Sequence, residues 1–274
     1  MIGVGIITCD RLDFFEKCLA SIPFDRVDYV VVVNDGAQWI DDKVPDELKP
    51  KIYCIQHTGK PRQGVAVSKN QALQYLMEKD CDYLFLIEDD IIVIDPNVFE
   101  YYIDAHKETG IEHFMFGYHG PANKTGSNGT PKPKHKIRYK DHTILLNEHC
   151  VGAFIFYTHN CINKCGLLDI RYYNAFEHVD HSYKIALHGL TTPYWNWADV
   201  DVSWGFLGEQ ACSEENSSIR GHEGWKRNIE KGYKQFIKNH GYAPFGQGCV
   251  RDTLIDEIKP RLKELYDEKH RVGN

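Results

Sequence analysis

The sequence predicts an α/β fold, with a Rossmann-like, mixed but mostly parallel sheet flanked by helices and a helical C-terminal extension. Three observations carry that reading. Residues 2–8, 28–33 and 82–88 are short, near-continuous apolar runs, the pattern of strands buried on both faces of a parallel sheet. Between them, residues 10–22 and 65–79 repeat apolar side chains at helical spacing, so strands and helices alternate. The runs also lead into polar groups, at Thr8, Asp35 and Glu88-Asp89-Asp90, which such a sheet gathers in one crevice at the carboxyl ends of its strands.

Taken in order, residues 2–8 form the first strand, and Asp10 follows as a candidate N-cap for a helix through Ile22. Leu12, Phe15, Leu19 and Ile22 recur on its buried face. The second strand, 28–33, ends in the turn signal Asn34-Asp35-Gly36. A short strand over 51–56 leads into the basic loop 58–64. A helix over 65–79 then presents Ala66, Asn70, Leu73 and Met77 along one side before the acidic strand. The order β-α-β-β-α-β is that of a nucleotide-binding α/β half.

Asp95-Pro96 caps and opens a helix through Lys107, and 113–118 reads as a strand. Residues 119–140 lose periodicity and gather Gly, Pro, Asn and Lys, the composition of a long mobile loop that serves as a lid or binding loop. Residues 150–157 return to strand, with Gly152-Ala153 small enough for close backbone approach. A short helix over 159–165 is closed by Gly166. The helix over 177–188 is expected to bury Val179, Tyr183, Ala186 and Leu187, with Leu190 following. Two terminal helices are expected near 222–240 and 251–269. The second carries an amphipathic stripe, Leu254, Ile258, Leu262 and Leu265, that must dock on this chain or on a partner. Residues 1–205 are read as one α/β domain with halves 1–95 and 96–205, and 206–274 as the extension packed on it.

At 274 residues the chain can bury a substantial core. With 26% charged residues, a mean hydropathy of −0.45 and no apolar run near the roughly eighteen residues of a membrane span, it reads as soluble. The first residues run straight into a strand and leave no room for a signal or transit peptide, so the mature chain is expected to begin at Met1. Nine cysteines, odd in number and scattered, fit buried thiols in a reducing cytoplasm better than a disulfide framework. Cys161 and Cys165 lack a second close pair to complete a zinc site. A net charge of −7 argues against general polyanion binding. The basic concentration is Lys132, Lys134, His135, Lys136, Arg138 and Lys140 in the long loop.

The acid triplet Glu88-Asp89-Asp90 sets the functional question, because three adjacent carboxylates at the end of a rigid strand repel one another. Taken alone it reads as a solvated acidic turn. The alternative is a site for a hard divalent cation, Mg²⁺ or Mn²⁺, which takes oxygen ligands and shares them with substrate phosphates.

The triplet does not stand alone. It belongs to an ordered series: Ile6-Ile7-Thr8-Cys9-Asp10-Arg11 before a helix with Cys18-Leu19-Ala20-Ser21-Ile22; Val33-Asn34-Asp35-Gly36-Ala37; Gly64 through Lys69-Asn70; Leu86-Ile87-Glu88-Asp89-Asp90; Gly152-Ala153; and Glu177-His178-Val179-Asp180-His181-Ser182-Tyr183-Lys184. Over residues 2–200 this set resembles the family 2 glycosyltransferases, which have the GT-A fold. The resemblance implies a metal-dependent enzyme, with Mn²⁺ or Mg²⁺, that transfers a sugar from a nucleotide-diphosphate donor to a hydroxyl acceptor with inversion. A UDP-sugar is the first choice of donor. Residues 1–95 would form the nucleotide-sugar-binding half and 96–205 the acceptor half. Thr8 and Arg11 would line the nucleotide pocket and Asp35 would hold the base, with Asn70 and the 60–64 loop, including Gly64, near ribose and diphosphate. Glu88-x-Asp90 takes the place of the family's DxD motif. Asp90 would be the direct metal ligand, Glu88 would reach ribose or a metal-bound water, and Asp89 would support them or the donor sugar. His222 is the best-placed C-terminal histidine for a further metal ligand.

An inverting transfer also needs a base on the acceptor side. The family often carries Glu-Asp-x-Asp at the start of the later helix, with the first Asp as base, whereas this chain has Glu177-His178-Val179-Asp180. The base is then Glu177, Asp180 or His178, in that order of preference, unless the cluster only stabilises the helix N-terminus. Trp195, Trp197, Trp204 and Trp225 are candidates for an acceptor platform, with core packing as the alternative. The basic run suits a phosphate-bearing glycan or nucleic acid if it is more than a solvated face. Two rival readings stand beside the enzyme. A sugar-phosphate nucleotidyltransferase expects a glycine-rich loop after the first strand, where Thr8-Cys9-Asp10-Arg11-Leu12 has no glycine. The other is a non-catalytic nucleotide- or glycan-binding protein on the same fold.

Overall fold

The structure is a computed structural model and describes residues 1–58, 61–126, 129–192, 196–211, 217 and 224–245. Its first half runs β1 (Ile2–Thr8), α1 (Leu12–Ser21), β2 (Tyr29–Asn34), β3 (Ile52–Gln56), α2 (Val65–Glu78), β4 (Tyr83–Glu88) and the short β5 (Ile91–Val93). Next come α3 (Val98–Thr109), β6 (His113–Met115), β7 (His135–Tyr139), β8 (His142–Asn147), β9 (Phe154–Thr158), α4 (His159–Cys165) and α5 (Glu177–Leu187). The described residues close with β10 (Trp197–Val200), α6 (Ser203–Phe206), β11 (Leu207–Glu209) and α7 (Trp225–His240).

Six strands form the central sheet in the order β3-β2-β1-β4-β9-β6. The first four pair in parallel, and β9 runs antiparallel to both its neighbours. Because side chains alternate along a strand, the apolar runs feed two cores. Val4, Ile6, Val30, Val32, Phe85 and Ile87 meet α1 and α3, while Ile7, Val31, Val33, Leu84 and Leu86 meet α2 and α4. A Cβ at Gly5 would stand 2.7 Å from Cβ of Ala72, so α2 lies close on β1. Among the described residues two smaller sheets, β10-β8-β7 and β11-β5, accompany it.

The structure departs from the sequence reading at four places. Asp10 does not cap α1: Arg11 holds the N-cap position without a side-chain bond, and Asp10, at φ +52°, turns its carboxylate to the neighbouring strand-end loop. Asn97, not Asp95-Pro96, precedes α3, and Asp95 Oδ1 accepts the Asn97 N–H. The expected loop over 119–140 contains β7, paired antiparallel with β8 through the two-residue turn Lys140-Asp141. The α5 stripe is rotated, so that Glu177, Asp180, His181 and Ser182 are buried while Leu187 is 63% exposed. Of the two readings left open for Trp197, the structure shows core packing: it is 2% exposed. The expected 251–269 helix, His222 and Trp195 lie outside the described residues.

Candidate active site

The carboxyl ends of β1 and β2 border a small open cleft lined by Ile7, Thr8, Cys9, Asp35, Arg62, Val65, Ser68, Tyr173 and Asn174. Its rim is tied by short bonds from side chain to backbone. Asp10 Oδ1 accepts the N–H groups of Ala37 and Gln38 at 2.7 and 3.1 Å, and its Oδ2 accepts Arg62 at 2.8 Å. A Cβ at Gly36 would stand 2.5 Å from the Asp10 backbone nitrogen, so only glycine lets the two loops meet. Asp35 bonds His57 Nδ1 at 3.0 Å and the N–H groups of Gln63 and Gly64 at 2.8 and 2.7 Å, which fixes the entry to α2. Gly64 sits there at φ +94°, where a Cβ would strike the Tyr173 carbonyl oxygen at 2.5 Å. Burial pushes the Cys9 thiol up to about 12, so the cleft holds a neutral thiol and not a nucleophile.

At the end of β4 the three carboxylates part company. Asp89, fully buried, accepts the Thr8 hydroxyl at 2.7 Å and an ion-pair bond from Arg11. Burial raises its carboxyl to about 7 against the pull of Arg11. Asp90 Oδ2 lies 3.3 Å from Arg11, while Asp90 Oδ1 is buried without a hydrogen-bond partner among the described residues. Gln210 closes the turn, donating its backbone N–H to the Asp90 carbonyl and its side-chain amide to the Asp89 carbonyl. Across the same region, His119 Nδ1 stands 3.0 Å from Glu209, which also takes Lys124 at 2.6 Å.

Glu88 turns the other way, to Lys69. This lysine side chain is fully buried, and its Nζ lies 2.8 Å from Glu88 Oε1, 3.3 Å from Glu177 Oε1 and 2.9 Å from the Gly152 carbonyl oxygen. Burial would strip its charge, yet Glu88 and Glu177 outweigh that and raise its pKa above the usual lysine value. Glu177 Oε1 also takes His178 Nδ1 at 2.9 Å. Burial alone would raise the Glu177 carboxyl, but His178 and Lys69 hold it well below the ordinary carboxylate range. An ionised carboxylate only accepts, so His178 donates to Glu177 through Nδ1–H, and Nε2 is the ring nitrogen turned away from that bond. The backbone ahead of this pair is strained: Phe176 precedes α5 at φ +69°, rare for a bulky residue.

Asp180 points elsewhere. Its Oδ1 accepts the Tyr172 hydroxyl at 2.9 Å, His240 Nε2 at 2.7 Å and Asn239 at 3.1 Å, so it pins α5 to α7. Asn70 is likewise structural, exchanging bonds of 2.8 and 2.9 Å with the Leu168 backbone.

Comparison with known proteins agrees with this architecture. No family model matches the sequence. The chain is 26% identical over 241 residues to a protein named an uncharacterized glycosyltransferase in Acanthamoeba polyphaga mimivirus, covering 85% of this chain and 88% of that one. Among solved structures it is similar to S. aureus TarS residues 1–349, with a TM-score of 0.54, 13% identity and coverage of 98% of this chain and 72% of that one. It is also similar to the mannosyltransferase PcManGT of Pyrobaculum calidifontis, solved with GDP-Man and Mn²⁺, at a TM-score of 0.55 and 14% identity, covering 98% of this chain and 73% of that one. The fold is that of these glycosyltransferase structures: a mainly parallel sheet flanked by helices, with a helical C-terminal part. Among the described residues no helix is long and apolar enough to cross a membrane.

The residues present fit a divalent cation of one particular kind. Among the described residues no cluster of three or more His, Cys, Asp or Glu side chains stands ready to hold a metal. Mg²⁺ and Mn²⁺ bound to nucleotides take one or two carboxylates and fill their shells with phosphate and water. The orphaned Asp90 Oδ1 is such a donor.

Sequence reasoning brought Thr8, Arg11, Asp35, Gly64 and the triplet to one place. It gave no role to Lys69, Tyr173 or the His119-Glu209 pair, and named Arg62 only as part of the 60–64 loop. For Lys69 a signal existed: Ala66, Lys69, Leu73 and Leu76 fall on one helical stripe, and a lysine inside a buried stripe needs partners.

Proposed function

We propose that this protein is a GT-A glycosyltransferase, of the family 2 type, that transfers a sugar from a nucleoside-diphosphate donor to a hydroxyl acceptor with inversion. The observation that carries the reading is the meeting, at buried Lys69, of the β4 strand end with the Glu177-His178 pair of α5. A donor clamp and an acceptor base thereby face one crevice.

In this reading the cleft between β1 and β2 takes the nucleotide, and Thr8, Arg11 and Arg62 border its phosphates or base. Asp90 would hold Mn²⁺ or Mg²⁺, whose charge would offset that of the leaving diphosphate. His178 Nε2 accepts the proton of the acceptor hydroxyl, while Glu177 orients the ring and stabilises the imidazolium. Glu177 itself is too weak a base, being held ionised by the Lys69 ammonium and the His178 Nδ1–H, and Asp180 is turned to α7. This reverses the ranking expected from sequence. On the acceptor side, Trp204 is 48% exposed and 6.3 Å from the Tyr118 ring, a surface suited to a sugar face. The exposed Lys136 and Arg138 on edge strand β7 favour a phosphate-bearing acceptor.

The reading draws support from the relative's name and from the nucleotide sugars bound by proteins of similar fold, UDP-GlcNAc in TarS and GDP-Man in PcManGT. The test is release of nucleoside diphosphate from a panel of UDP- and GDP-sugars with Mn²⁺, with and without glycan acceptors. Turnover that needs Asp90 and His178 is expected. Binding of donors without release from any of them would leave a nucleotide-binding protein on this fold.

A further inference from the structure

We propose that Lys69 is a positioning residue that ties Glu88 to the acceptor-side pair, so that Glu88 serves the base and Asp90 alone of the triplet serves the metal. The inference deepens the proposed function and rests on it for its turnover readout, though not for its cation-binding readout.

The geometry assigns this division. Glu88 closes β4, Glu177 opens α5, and Gly152 lies just ahead of β9; a single ammonium group joins all three. Its three N–H groups match three oxygens at 2.8, 3.3 and 2.9 Å, so its donor capacity is filled. The Lys69 side chain is 0% exposed, and a buried cation is held only where its partners stay in place. Removing Glu88 would leave Lys69 with one carboxylate, the one that orients His178, and would draw that carboxylate toward the amine. Glu88 thus bears on His178 through three contacts: Glu88 to Lys69, Lys69 to Glu177 and Glu177 to His178. Asp90 stands apart from this network: its Oδ2 meets Arg11, and its Oδ1 has no partner among the described residues. Two neighbouring carboxylates with the spacing of a metal motif therefore hold different cations, one an amine of the protein and one supplied from solution.

Two measurements separate the roles. Mn²⁺ binding, followed by the electron paramagnetic resonance of free Mn²⁺ with and without UDP, is expected to weaken at least about tenfold in Asp90→Asn. In Glu88→Gln it is expected to change by less than about threefold. An equal loss in both variants overturns the proposal. Glu88→Gln is further expected to lower kcat about a hundredfold through misplacement of the base, with the donor KM nearly unchanged. Lys69→Met leaves the buried Glu177 and the half-buried Glu88 without their shared cation and unfolds more readily, so the double variant Lys69→Met/Glu88→Gln is the companion test. It is expected to regain thermal stability but not kcat. Recovery of kcat together with stability would show a purely structural lysine. If the unaltered protein releases no nucleoside diphosphate, the enzyme reading falls, and Mn²⁺ binding still decides the role of Glu88.

Discussion

Replacing Gly152 by alanine probes the crevice where it is tightest. A Cβ at this position would lie 2.9 Å from Cγ and Nδ1 of His178 and 2.9 Å from Nζ of Lys69. Relaxed contacts between heavy atoms fall near about 3.5–4.0 Å, so these neighbours must retreat by roughly 0.6–1 Å. Neither can retreat cheaply. Lys69 is fixed by three oxygens, and His178 Nδ1 is fixed by Glu177. Overpacking of this kind costs about 1–3 kcal/mol of stability. A base displaced by about 1 Å costs on the order of a hundredfold in turnover. The assay pairs urea unfolding with donor turnover in the presence of acceptor. Gly205→Ala serves as the control, because a Cβ there meets nothing within 4 Å. If Gly152→Ala loses stability yet turns over donor at the unaltered rate, then neither His178 nor Lys69 takes part in the chemistry, and the acceptor side must be sought elsewhere.

Further outcomes follow from other parts of the structure. Burial holds His113 down at about 4 and His181 at about 3, both below the ordinary 6.5 of the unfolded chain. The unfolded chain therefore takes up protons first, so the stability tied to the neutral rings is present above about pH 6.5 and is lost as pH falls toward their folded values. For His113 the loss is about 3 kcal/mol between pH 6.5 and 4, and the stability gap between the unaltered protein and His113→Asn should narrow by that amount in urea melts. A gap constant over this window would refute the assignment. Reversing the exposed charges in Lys136→Glu/Arg138→Glu should weaken use of phosphate-bearing acceptors and flatten the salt dependence of that use, while donor hydrolysis without acceptor stays unchanged; equal loss of both would remove β7 from acceptor binding. Gly232→Ala, whose Cβ would meet the Phe176 ring at 2.7 Å and the Ala175 carbonyl oxygen at 2.8 Å, should loosen α7 from the strained entry to α5 and cost about 1–3 kcal/mol in urea unfolding; an unchanged midpoint would show that α7 does not brace that entry.

What could be read from the chain, and what could not, follows from how burial is written in sequence. Strands β1, β2 and β4 were legible because a strand covered on both faces must be apolar along its length, and the polar residues at their ends then locate the crevice without further information. Strand β7 was not legible: it lies at a sheet edge, where lysine and arginine are favoured over apolar residues, so its sequence reads as loop. Asp10 misled for a related reason. Aspartate before a helical stripe satisfies both an N-cap and a bridge to a neighbouring loop, and only the position of Ala37 and Gln38 decides between them.

The α5 discrepancy is the more instructive one, because it locates function. Apolar periodicity places Val179, Tyr183, Ala186 and Leu187 inward, yet the face that the fold covers includes Glu177, Asp180, His181 and Ser182. Folding accepts such a face only where each polar group finds a partner, and here the partners come from distant elements: Lys69 from α2, His240 from α7, and the Gly166 carbonyl oxygen at 2.8 Å from His181 Nε2. Their distance along the chain is what hides them from a sequence window. The same distance gives the test of their purpose. Asp180→Asn keeps the shape of the α5-α7 contact but removes the charge that meets His240, so it should lower stability by about 1–3 kcal/mol and leave turnover per folded molecule intact. Glu177→Gln keeps shape equally well, and should do the reverse in emphasis, lowering turnover through the orientation of His178 by more than its effect on stability would account for. If the two variants lose activity in the same proportion as stability, the buried polar face of α5 is a folding device alone, and the base does not lie on this helix.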